Sequence, residues 1–113
     1  MDDSTKPSNL GTSERRAQPR VPITLPLLLR FGAEVAYARS SNISAGGMFV
    51  MSEKRPAPTT AIQITAVLPD TTQLILPAEV RWGTSEGFGV QFGRLEAQAT
   101  YAIGKLVANR SRA

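Results

Sequence analysis

Cysteine and histidine are both absent from the 113 residues. Without cysteine there is neither a disulfide framework nor a thiolate zinc site. Without histidine, the commonest metal ligand and the imidazole base of catalytic triads are gone as well. Nine carboxylates remain for acid–base work, and none stands in a pattern with a nucleophile, so no enzyme and no cofactor are expected. Aromatic residues are scarce: one Trp, two Tyr and four Phe. Long apolar runs are missing too. Nothing approaches the ~20 residues of a membrane span, and Met1–Arg16 opens acidic and polar, unlike a signal peptide. A cytoplasmic protein is the expectation.

What is present fits one small domain. Apolar residues make up 42% of the chain, close to the globular average. The net charge is +4 and is carried by arginine, ten residues against three lysines. A planar guanidinium clasps phosphate as a fork and stacks on rings, whereas lysine acts as a point charge.

Along the chain, residues 1–14 are polar and contain one large apolar side chain, Leu10, so they read as a flexible tail. Residues 15–20 form a basic arm, and residues 15–113 read as one domain. From Val21 to Phe31 the sequence is apolar, but Pro22 and Pro26 exclude helix and demote its first half to an edge strand or extended lead-in. Glu34–Ser41 alternates as a second strand, Asn42–Gly47 reads as a turn, and Met48–Met51 as a short strand. After a proline-bearing loop at Glu53–Thr60, strands are expected at Ala61–Leu68, at Leu74–Trp82 (interrupted by Pro77) and at Gly87–Phe92. Phe31, Phe49, Phe88 and Phe92 are expected in the core. Past Gly93 the spacing of Leu95, Ala99, Ala102, Ile103, Leu106 and Val107 predicts a helix over about 94–108. Short strands punctuated by Gly and Pro argue for an all-β antiparallel barrel or sandwich with one C-terminal helix.

Two motifs stand out. Arg15-Arg16-x-x-x-Arg20 crowds three guanidiniums into six residues; on an extended chain, spacings of one and four residues reach about 3 and about 14 Å. A compact anion, nucleic-acid phosphate or plain solvent would each suit such an arm. Asn42-x-Ser44-x-x-Gly47 offers an amide, a short hydroxyl and room for close backbone approach, and equally describes an ordinary turn. Trp82, followed by Gly83, is either core or a stacking platform for a purine. Arg39 and Arg81 are further guanidiniums of open orientation.

Taken in order, Arg16-x-x-x-Arg20, an apolar strand pair and Asn42-x-Ser44-x-x-Gly47 running into Met48-Phe49-Val50 resemble the PilZ domain family. The resemblance continues through Pro56 and Pro58, Val80-Arg81-Trp82 and Gly87-Phe-Gly-Val-Gln-Phe92. It implies a six-stranded antiparallel, split-barrel-like β-barrel with a C-terminal helix, and binding of the bacterial second messenger cyclic di-GMP. By position it gives Arg15, Arg16 and Arg20 the ligand's phosphates and guanines. Asn42, Ser44 and Gly47 would meet a guanine from the barrel surface, and Trp82 would lie near where some members place a ring against a base. Asn42 stands where Asp is commoner, keeping an acceptor but losing a charge, so weaker recognition is expected. Motility, adhesion and exopolysaccharide control, through a protein partner, are all compatible outputs.

Two other readings stand beside this one: a PilZ-like adaptor that works by protein contact without nucleotide, and a barrel for single-stranded nucleic acid. The second usually exposes several aromatics on its strands, and binding to DNA is not expected here. Monomer and dimer are both open, with Leu10 and the C-terminal helix as candidate contacts.

Overall fold

The computed structural model describes residues 19–111. The elements in chain order are β1 (Val21–Pro22), β2 (Pro26–Phe31), β3 (Glu34–Ile43), β4 (Gly47–Met51), β5 (Ala61–Val67), β6 (Gln73–Gly83), β7 (Gly87–Phe92) and α1 (Ala97–Ser111). Strands β2, β5, β6, β7, β4 and β3 pair in that order, and β3 returns to β2. The result is the expected six-stranded antiparallel barrel. Strand β1 is an extra piece that continues the line of β2 along β3, with Val21 opposite Ile43 and Pro22 opposite Asn42.

Strict alternation fills the barrel. Leu27 and Leu29, Ile62 and Ile64, Leu74, Leu76 and Ala78 point inward while their neighbours face out, as a period of two demands. Met48, Val50, Val80 and Phe88 complete a core of branched and aromatic side chains. The helix lies against β1 and β6 and contributes Ala99, Ile103 and Val107, each about one helical turn from the next.

Prolines sit where a missing N–H does least harm. Pro22 is in β1, which pairs on one side only, and Pro26 is the first residue of β2. Pro77 does not interrupt β6, which runs unbroken past it. Its carbonyl accepts from Gly93 N–H just beyond the end of β7, so its nitrogen faces the same strand end. Between β1 and β2 the ladder breaks, and Ser40 repairs it. The buried Ser40 hydroxyl accepts from Leu25 N–H at 2.9 Å and donates to the Ile23 carbonyl at 2.7 Å.

Three further expectations need correction. The Asn42–Gly47 segment is not all turn, because Asn42 and Ile43 belong to β3 and only residues 44–46 reverse the chain. The helix begins at Ala97 rather than Arg94, since Gly93 is still bonded to Pro77. Phe49 is not core: it sits half-buried on the outer wall, between inward Met48 and Val50. Phe88 and Phe92 are buried and Phe31 packs against the core, as expected.

Candidate functional site

Two irregularities in the strand pairing build the site. Between Ser40 and Asn42 the β3–β4 register shifts by a β-bulge, and between Val80 and Trp82 the β6–β7 register does the same. Each bulge reverses the inward–outward phase of the residues beyond it. Ser40 and Val80 point inward, fully buried; without the bulges, Asn42 and Trp82 would follow them. With both bulges the two side chains stand on the outer wall.

They also stand in one row. Pro22 faces Asn42, Asn42 faces Phe49, Phe49 faces Gly89, and Gly89 faces Trp82. The indole reaches across Gly89 to stack on Phe49, with ring centroids 5.2 Å apart and planes 29° from parallel. Trp82 is 47% exposed, so of the two readings of this residue the geometry takes the surface one. At the other end of the row, Arg20 Nη1 donates to Asn42 Oδ1 at 2.7 Å. The last arginine of the arm therefore lies on the shoulder that the second motif forms. Arg15 and Arg16 lie outside the described residues.

Ser44 and Gly47 are placed differently. Ser44 is buried, its N–H bonds to the Gly47 carbonyl at 2.8 Å, and its hydroxyl accepts from Gly46 N–H at 3.2 Å. A Cβ on Gly47 would lie 2.1 Å from the Val90 carbonyl oxygen of β7. Both residues shape the reversal and let β4 close on β7, while Arg20, Asn42 and Trp82 present their polar and aromatic groups outward.

Electrostatically, Arg20 meets a neutral amide. The ion pairs among the described residues are Lys54 with Glu34 at 2.6 Å and Arg81 with Glu79 at 3.7 Å, all exposed. The Lys54 ammonium bonds Glu34 and holds its carboxyl below the ordinary range. Asp70, remote in the β5–β6 turn, is lowered by the backbone and side chain of Thr72. Next to the row, a cleft of about 780 Å³ opens over Tyr37, Arg39, Met51, Lys54, Arg55 and Glu86. Arg39 and Met51 are cross-strand partners, so the cleft abuts the outward face of Phe49's strand. Among the described residues, no three carboxylates gather as a metal site, and no helix is long and apolar enough to cross a membrane.

Sequence reasoning missed Phe49 and Gly89. The Gly87-Phe-Gly run was visible, but its meaning depends on which residue lies opposite, and that follows from the bulge at Arg81.

Comparisons with known proteins give a consistent fold. The model of the PilZ domain family matches residues 14–109. The solved structure of the Bacillus subtilis inhibitor of motility, MotI/DgrA, is similar at a TM-score of 0.75 and 23% identity, over 86% of this chain and 51% of that one. This chain thus spans about half the length of that protein. The PilZ domain of CeSA from a cellulose-synthesizing bacterium gives a TM-score of 0.66 at 23% identity, covering 80% of this chain and 96% of that one. PlzA of Borreliella burgdorferi, solved in complex with c-di-GMP, gives 0.64 at 13% identity, over 87% and 44% of the two chains. No curated protein matches.

Proposed function

The chain belongs to the PilZ domain family, and on that premise we propose that it is a cyclic di-GMP receptor that signals to a protein partner. PilZ domains are regulatory receptor domains rather than enzymes as a rule. The observation that carries the reading is the bond between Arg20 and Asn42, which joins the arm motif to the barrel motif at the edge of an aromatic platform.

Each group has chemistry to offer the ligand. The Arg20 guanidinium forks onto a phosphate or onto guanine O6 and N7. Its bond to a neutral amide is exchangeable for a bond to an anion, since the anion makes the stronger, charge-assisted partner. Asn42 then has its carbonyl free for guanine N–H groups and its amine for an acceptor. The open face of Trp82 stacks on a purine, as every base permits. Arg15 and Arg16 add two more cations from the arm, and Ser44 and Gly47 hold the shoulder in shape. Ligand contacts made by residues 15–20 would change how the arm sits ahead of Val21. That change is the signal a partner reads.

Two of the similar structures point the same way, one solved with c-di-GMP and one named an inhibitor of motility. Calorimetric titration of the full chain with cyclic di-GMP tests the reading. Micromolar or tighter binding supports it. A silent titration beside a recovered protein partner would favour the nucleotide-free adaptor, and a mobility shift with single-stranded nucleic acid that cyclic di-GMP fails to compete would favour the third reading.

A further inference from the structure

The Trp82 indole is held in place by an absence. A Cβ built on Gly89 would lie 2.4 Å from Cε2, 2.4 Å from Cζ2 and 2.9 Å from Nε1 of Trp82. Three ring atoms so close to one point mean that the indole lies flat over the backbone of Gly89. Its second support is Phe49, at 5.2 Å between centroids. Gly89 is flanked by Phe88 and Val90, both inward and buried, so it belongs to the outer wall and is covered by the indole. Phe49 occupies the same row one strand further on.

Glycines elsewhere in the barrel serve a different end. On Gly47 and Gly87 an added Cβ would meet backbone oxygens, at 2.1 Å from Val90 and 1.9 Å from Val50, so those positions are fixed by strand packing. At Gly89 the obstruction is a side chain, and a side chain can move aside without disturbing the ladder. The barrel has no need of glycine here; the indole does.

We propose that Gly89 and Phe49 are positioning residues that hold the Trp82 indole flat as an outward platform for a purine ring, an inference that rests on the receptor reading above. Gly89 supplies the flat seat, and Phe49 stacks on the indole with centroids 5.2 Å apart and steadies it there. Neither residue touches the ligand; both act through Trp82. With Arg20 and Asn42 at one end of the row and the indole at the other, a base is met on its edge and on its face at once. Aromatic rings stack offset at such separations, and a ring free to swing would lose rotamer entropy on binding that a seated ring has already lost.

Trp82 is the single tryptophan, so its fluorescence reports this residue alone. The test compares wild type with Gly89→Ala, Phe49→Leu, Trp82→Ala and the Gly89→Ala/Trp82→Ala double variant, each checked for a folded barrel by circular dichroism. Expected are a red-shifted emission for Gly89→Ala and Phe49→Leu, and a rise in the cyclic di-GMP Kd of about fivefold or more, as loss of one base stack requires. In the Trp82→Ala background, Gly89→Ala should cost nothing further, because both changes remove the same contact. The inference is overturned if Gly89→Ala leaves emission and Kd at wild-type values, or if it weakens binding equally with Trp82 removed. Titration with GMP separates the two readings. Wild-type Trp82 quenched by GMP in a Gly89-dependent way, without cyclic di-GMP binding, would overturn the receptor reading and support the platform. Indifference of Trp82 to both ligands would overturn the platform.

Discussion

Arg20 and Asn42, 22 residues apart in sequence, are joined by a 2.7 Å hydrogen bond from Nη1 to Oδ1. The pair is exposed and uncharged on one side, and among the described residues Arg20 has no carboxylate partner. The two residues should therefore contribute unequally to binding. Arg20→Ala is expected to weaken cyclic di-GMP by about 1.5–3 kcal/mol, the range for a hydrogen bond to a charged group, and Asn42→Ala by about 0.5–1.5 kcal/mol. Because the two side chains touch, the double variant should cost less or more than the sum; calorimetry on the three variants reads the ranking directly.

Ser40 is the stability counterpart to that pair. Its hydroxyl bridges Leu25 N–H and the Ile23 carbonyl across the gap between β1 and β2, and it is 1% exposed. Ser40→Ala leaves a buried N–H without its acceptor and should destabilise the barrel by about 1–3 kcal/mol in denaturant unfolding. Ligand affinity of the folded fraction should change little.

Two glycines should respond to alanine with opposite signs. Gly47→Ala drives a Cβ against the Val90 carbonyl, 2.1 Å away, and is expected to lower the melting temperature or prevent folding. Gly104, within α1, has open space where a Cβ would stand. Gly104→Ala should stabilise by about 0.4–1 kcal/mol through helix propensity and a less disordered unfolded chain.

Binding should be sensitive to salt and indifferent to pH near neutrality. Contacts between guanidiniums and phosphates weaken as ionic strength rises. The chain has no histidine, the side chain whose ordinary pKa falls between about pH 5 and 8. Among the described residues the carboxyls with shifted values, Glu34 and Asp70, are both lowered. Their contributions to folding are present above the ordinary carboxylate range and fade only as pH falls through the lowered values. Affinity measured from about pH 6 to pH 8 should be flat; a step within that range would implicate a group outside the proposed site.

Most of the barrel could be read from the sequence because alternation and punctuation are local. Ala61–Val67 and Gly87–Phe92 announce themselves by period two and by flanking Pro and Gly, and the Ala99–Ile103–Val107 spacing announces the helix. The arm and shoulder motifs were legible by kind, through Arg20 and Asn42. What alternation could not reveal is its own reversal. The bulges beside Ser41 and Arg81 turn Asn42 and Trp82 onto the outer row where Phe49 already stands, and a bulge exists only between two strands, never in one. Phe49 reads as core for a different reason: Met48-Phe49-Val50-Met51 is apolar throughout, so its sequence offers no alternation to pick the outer face. The seat under Trp82 was hidden because Gly89 and Trp82 meet only across the β6–β7 ladder.

Whether the arm, the shoulder and the indole bind one ligand together is read by chemical-shift mapping of the full chain during titration with cyclic di-GMP. Expected are concerted shifts of the Trp82 indole N–H, the Asn42 side-chain amide and the Arg20 guanidinium, with Ile75, at the other end of β6 and opposite Thr65 of β5, unmoved. Shifts confined to the Tyr37–Arg55 cleft, or no shifts at saturating ligand, would contradict it.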